Sequence, residues 1–77
     1  MQSKITTILS QILGVEAEDL TPDLDLFEAA LLDSFAIVQM SVELEESFGV
    51  VLDLEHLTRE EIATPARIAE LVRSMSS

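Results

Sequence analysis

The 77-residue chain has room for one domain, residues 1–77, and its 48% hydrophobic content can build a core, though a chain this short buries only about 60% of its unfolded surface. It has no cysteine, which excludes disulfides, zinc–thiolate sites and thiol nucleophiles. Its net charge of −11 rests on 15 acids against 4 Lys and Arg, which argues against the phosphate contacts that dominate nucleic-acid binding.

Ile5, Ile8, Leu9, Ile12 and Leu13 recur at helical spacing and predict a first helix, with Ser3 as its cap and Gly14 as its stop. Residues 15–33 read as a long connection, broken at Thr21-Pro22-Asp23. Leu20, Leu24, Leu26, Phe27, Leu31 and Leu32 are spread through it and must pack on the core, because structureless loops beyond about 12–15 residues are uncommon. Residues 25–29 can form one turn of helix. A second helix is predicted from Ser34 to Phe48, ended by Gly49. Phe35, Val38 and Val42 make one stripe on it, with Ile37, Met40, Leu44 and Phe48 beside it. Glu43, Glu45 and Glu46 occupy its C-terminal half, where the helix dipole favours cations, at a cost of a few tenths to about 1 kcal/mol. Val50-Val51-Leu52 reads as a buried extended segment with no second strand to pair with. Thr58-Arg59-Glu60-Glu61 has the form of a capping box and predicts a short third helix. Thr64-Pro65 then opens a last helix carrying Ile68, Leu71, Val72 and Met75. The expected architecture is all-α: a small four-helix bundle with a long connection between helices 1 and 2 and a short helix 3.

The acidity is local. All acids but Glu70 lie between Glu16 and Glu61, where Arg59 is the sole base. That argues against anionic membrane surfaces and leaves two readings open: a surface that steers basic partner proteins, and a solvated surface that keeps a small protein soluble. The N-terminus has no basic stretch followed by an apolar one, and no apolar run is long enough to span a bilayer. A cytoplasmic protein, not an integral membrane protein, is expected.

Candidates for chemistry are few. His56 is the single histidine, and no second His or Cys stands at zinc-ligand spacing. An EF-hand counted from Asp23 fails, since Glu28 stands where glycine is needed and Ser34 where a bidentate glutamate is needed. Ser34 lies in no nucleophile elbow and has no base beyond His56, so the chain is not expected to be an enzyme. Asp33 and Ser34 stand where the acidic connection meets helix two. Either can cap that helix, and Ser34 also presents a hydroxyl that another enzyme can modify.

The arrangement around that serine is specific. Asp-Leu-Phe-Glu at 25–28 precedes Leu-Leu-Asp-Ser-Phe at 31–35. Ile37-Val38-Gln39-Met40 and Glu43-Leu44-Glu45-Glu46-Ser47-Phe48 follow, then Gly49-Val50-Val51-Leu52 and, later, Thr64-Pro65-Ala66-Arg67-Ile68 with Leu71. From about Leu20 to Val72 the chain resembles the acyl carrier protein superfamily of fatty-acid, polyketide and peptidyl carriers. The resemblance implies that Ser34, beside Asp33, is esterified by 4′-phosphopantetheine taken from coenzyme A. It implies that the arm's thiol holds an acyl or aminoacyl group as a thioester. The implied partners are a phosphopantetheinyl transferase, an adenylating ligase or acyltransferase that loads the arm, and downstream acyl-using enzymes. A helix N-terminus suits the phosphodiester's charge, and a carrier needs no cysteine because the arm brings the thiol.

Departures from the fatty-acid carriers are visible. Ala29, Ala30, Leu31 and Leu32 fill a stretch where many carriers have glycine. Phe35 replaces a common leucine, Ala36 and Gln39 replace early acids, and the segment from Phe48 to Thr64 is about two residues longer. Those traits are similar to D-alanyl carriers and to some discrete carriers of secondary metabolism. The partner face is expected beside Ser34, with Phe35, Ile37 and Met40 as exposed apolar candidates and Glu43, Glu45 and Glu46 as charges that steer encounter. A monomer is expected. The competing reading is an unmodified acidic adaptor, which composition and helix pattern fit equally well.

Overall fold

The computed structural model describes the backbone of residues 2–76 and the side chains of residues 4–75. Helix α1 spans Gln2–Leu13, α2 spans Ser34–Phe48 and α3 spans Pro65–Ser76. Two 3-10 turns, Ala17–Asp19 and Glu60–Ile62, lie in the connections, and no strand occurs among the described residues. All three helices pack against one another.

On α1, Ile5, Ile8 and Leu9 are buried while Ile12 and Leu13 pack at the core's margin, as their spacing predicts. The expected cap at Ser3 falls inside the helix, and its side chain lies outside the described residues. Gly14 ends α1 with φ 70, and its N–H donates to the Ser10 carbonyl at 3.0 Å. A left-handed residue at this place is the usual glycine stop.

The long connection is packed down. Leu20, Leu26 and Leu32 are buried in the core. The Ala66 N–H donates to the Pro22 carbonyl at 3.1 Å, and the Leu26 N–H donates to the Ala63 carbonyl at 2.7 Å. Both bonds tie the connection to the start of α3 and the segment before it. The expected helical turn is present just after Asp25. The Asp25 carboxylate accepts from the N–H groups of Phe27 and Glu28, both at 3.0 Å. The turn closes with Ala30 N–H to the Phe27 carbonyl and Leu31 N–H to the Leu26 carbonyl, both at 3.0 Å. That pair of bonds is a Schellman closure.

Its left-handed residue is Ala30, φ 58, the one non-glycine residue with positive φ among the described residues. A Cβ in that conformation costs roughly 1–2 kcal/mol. Ala30→Gly should therefore stabilise the protein by about 0.5–1 kcal/mol after glycine's greater unfolded-state freedom is subtracted. A chemical-denaturation midpoint that stays put or falls would show that the turn does not store this strain.

The expected short third helix is replaced by a single 3-10 turn, Glu60–Ile62, so among the described residues the bundle has three helices rather than four. The capping box forms in its own way. Thr58 N–H and the Thr58 hydroxyl both donate to Glu61 Oε1, at 2.9 and 3.0 Å. The backbone bond first, then the hydroxyl, holds the Glu61 carboxyl below its ordinary value. That contribution is present above the unfolded-state pKa and fades as pH falls through the folded one. The cap has too little helix to cap: Pro65 follows within a few residues, and so short a segment cannot offset the cost of helix nucleation. At Thr64 the hydroxyl accepts from Arg67 N–H at 3.1 Å, with Pro65 as the first residue of α3, as predicted. Ile68 and Val72 from α3 are fully buried, and Val50 and Leu52 are buried on either side of exposed Val51, the alternation of an extended segment.

Candidate cofactor-attachment site

Asp33 and Ser34 divide the work at the start of α2. Asp33 is extended (φ −125, ψ −178), and its carboxylate accepts from Ala36 N–H at 2.8 Å. Its carbonyl accepts the first helical bond from Ile37 N–H at 2.9 Å. Asp33 is the N-cap. Ser34 is the first residue of the helix and is exposed, and among the described residues its hydroxyl has no hydrogen-bond partner. The hydroxyl is therefore spared capping and stands at the positive end of a 15-residue helix with no acid in its first turn. Leu32 anchors the chain just before this corner, buried at 6% exposure, and Ala36 and Met40 anchor it just after.

The core side of α2 is Ala36, Met40 and Leu44, one residue every helical turn, with Ile37 and Phe48 packed at the margin. Met40, expected as an exposed partner contact, has no exposed surface at all. Ile37 is half-buried. Of the three apolar candidates only Phe35 stands out into solvent, at 70% exposure. Val38 and Val42, expected with Phe35 as one apolar stripe but not as partner contacts, are about half exposed on the same side as Phe35. The signal was available. Extending 36–40–44 by a turn reaches uncharged Ser47 and Phe48, whereas extending 35–38–42 runs into Glu45 and Glu46. A stripe that ends in carboxylates faces water.

Glu45 and Glu46 are exposed and Glu43 is partly so, flanking that stripe. No base stands in the last turn of α2 to meet its dipole. Lys4 of α1 reaches over the Phe48 ring instead, with Nζ 5.5 Å from the centroid, and brings a cation to that end. His56 is exposed, with Nδ1 2.6 Å from the Asp53 carboxylate three residues earlier, a local turn contact. No group of three or more metal-ligating side chains occurs among the described residues.

Crowded acids fix how the protein responds to salt. The molecule measures 27 × 24 × 18 Å. At about 0.01 M salt the screening length of roughly 30 Å exceeds these dimensions, so the acids between Glu16 and Glu61 all repel one another. At about 0.15 M it falls to roughly 8 Å and only neighbours do so. Tm should rise by about 2–8 °C between these conditions, as about 0.5–1 kcal/mol of relieved repulsion would give. A steady fall of Tm over that range would contradict net repulsion in the folded state.

No helix among the described residues is long and apolar enough to cross a membrane. Residues 3–72 match the family model described as "Phosphopantetheine attachment site". The chain is 35% identical over 75 residues to the D-alanyl carrier protein of Enterococcus faecalis, covering 97% of this chain and 96% of that one. It is 33% identical to the D-alanyl carrier protein of Leuconostoc mesenteroides, covering 97% and 95%. Its fold is similar to the solution NMR structure of a holo acyl carrier protein from Nitrosomonas europaea, with TM-score 0.78 at 26% identity, covering 95% of this chain and 92% of that one. The adaptor reading is not favoured by a match of this extent. The chain belongs to the phosphopantetheine-attachment family, as a carrier that holds acyl or aminoacyl groups as thioesters and passes them between enzymes.

Proposed function

We propose that Ser34 carries the phosphopantetheine arm and that the arm is loaded with an amino acid, D-alanine, by an ATP-dependent adenylating ligase. One observation supports the serine above all others: its exposed hydroxyl stands at the N-terminus of α2 while Asp33 does the capping. A transferase would remove the Ser34 hydroxyl proton as the oxygen attacks the phosphorus of coenzyme A next to pantetheine. The adenosine bisphosphate half leaves, and the new phosphodiester lies where the helix dipole favours negative charge. The ligase would then join the arm's thiol to adenylated D-alanine, releasing AMP. Use of coenzyme A and ATP places both steps in the cytoplasm. One hydrophobic core shared by the three helices supports a single carrier domain.

The cargo reading draws on relatives named D-alanyl carrier proteins, at 33–35% identity over nearly their whole length. Phe35 after the serine and the long segment after α2 point the same way. Partner enzymes would meet the carrier on the outward side of α2, with Phe35, Val38 and Val42 as contacts and Glu43, Glu45 and Glu46 around them.

The test is loading of the holo protein, read by intact mass. With ATP, D-alanine and a D-alanine-adenylating ligase, the mass should rise by one alanyl group, and hydroxylamine should remove it. Efficient loading by a malonyl transferase, with none by any adenylating ligase, would overturn the cargo while leaving the carrier function standing.

A further inference from the structure

With Ser34 taken as the attachment residue proposed above, we infer that Arg59 is a positioning residue for its modification, acting through Phe27 on the turn that leads to Ser34. Arg59 is the sole base between Glu16 and Glu61. Its guanidinium carbon lies 4.4 Å from the centroid of the Phe27 ring. This is the range of a cation–aromatic contact, and Arg is the side chain whose planar cation stacks best on such a ring. The pair lies between two surface grooves. One is rimmed by the carboxylates of Asp25, Glu28 and Glu60, which favour a cation at that place, and the other is apolar and includes Ile37 of α2.

Phe27 is the second residue of the turn that Asp25 opens and Ala30 closes. That turn cannot hold itself. It is a single turn, too short for helix propagation to offset nucleation, and its left-handed closing residue is an alanine. Contacts from outside must hold it. Burial of Leu26 is one, and the Leu26 N–H bond to the Ala63 carbonyl is another. Packing of Phe27 against the margin of the core is a third, and Arg59 over the Phe27 ring adds a fourth, from the same distant stretch of chain as Ala63. Immediately after the turn come Leu31, buried Leu32, the cap Asp33 and then Ser34. The segment before α3 therefore grips the turn through Phe27, and the turn sets where the chain enters α2. If the grip loosens, the cap and its neighbouring hydroxyl spend less time in the geometry a transferase must meet, and apparent efficiency falls with that fraction.

The experiment uses the full apo protein with Arg59→Ala, Arg59→Lys, Phe27→Leu and the Arg59→Ala/Phe27→Leu double variant. The first readout needs no enzyme: amide chemical shifts and hydrogen exchange by NMR. Arg59→Ala should shift the amides of residues 26–34 and speed their exchange, and leave those of α3 unchanged. The second readout is kcat/KM for phosphopantetheine transfer. It should fall about two- to fivefold in Arg59→Ala, the size of an exposed cation–aromatic contact. Arg59→Lys should recover part of the loss, and the double variant should lose no more than Phe27→Leu alone. Lower kcat/KM with unchanged amides at 26–34 would make Arg59 a direct partner contact and overturn the inference. So would single-variant losses that multiply in the double variant. Absence of any modification of the wild type would instead count against Ser34 as the attachment residue, which the amide readout does not depend on.

Discussion

Ser34→Ala should abolish phosphopantetheine transfer and leave the helical fold intact. Wild-type protein incubated with coenzyme A, magnesium and a promiscuous transferase should gain one arm by intact mass, and the variant none. The separation of function from folding follows from the division of labour at the start of α2. Asp33 accepts the Ala36 N–H, so loss of the Ser34 hydroxyl removes no cap. Ser34 is exposed, and alanine is the better helix former. Stability should change by no more than about 0.5 kcal/mol, as for ordinary surface substitutions. Asp33→Ala should behave in the opposite way. It removes the cap and should cost about 1 kcal/mol, yet the hydroxyl remains and modification should proceed, more slowly. Wild-type protein that gains no mass with several transferases would refute the assignment. So would a Ser34→Ala protein that is still modified.

Much of this architecture is legible without coordinates, because its signals are local. The stripe of Ile5, Ile8 and Leu9, the stop at Gly14, the start and end of α2 and the Thr64-Pro65 opening of α3 each rest on a few adjacent residues whose chemistry permits little else. What could not be read depends on distance along the helix or on competition. Thr58 and Glu61 do make their bonds, but the box only begins a helix, and the proline beyond it decides how far the helix goes. Whether Asp33 or Ser34 caps α2 is equally undecidable from composition, since both residue types do so well. Phase along α2 was the hardest. Two apolar stripes share one helix, 36–40–44 and 35–38–42, and the smaller side chain at Ala36 makes the true core stripe look the weaker. That is how Met40 came to be expected outside.

This correction changes how the partner face should be probed. Phe35, Val38 and Val42 stand on the outward side of α2, next to Ser34, and Glu45 and Glu46 follow them toward its C-terminus. Apolar contacts hold a complex once formed, whereas rim charges speed its formation. Phe35→Ala should therefore raise KM for the carrier about tenfold with both transferase and loading enzyme, about what losing one well-packed aromatic contact costs. That loss should hardly depend on salt. Glu45→Lys combined with Glu46→Lys should instead slow association, by about tenfold at 0.01 M salt. Most of the rate should return near 0.15 M, where the screening length is about 8 Å. Met40→Ala is not a probe of this surface. Met40 is fully buried, and its truncation should cost about 2–5 kcal/mol, a large share of the margin of a domain this small. Its effect on loading should track the unfolded fraction and disappear when rates are corrected for it. Stopped-flow association across a salt series, with steady-state KM for each variant, separates the contributions. Equal losses from the charge reversals at low and high salt, together with no loss from Phe35→Ala, would place the partner on another face of the bundle.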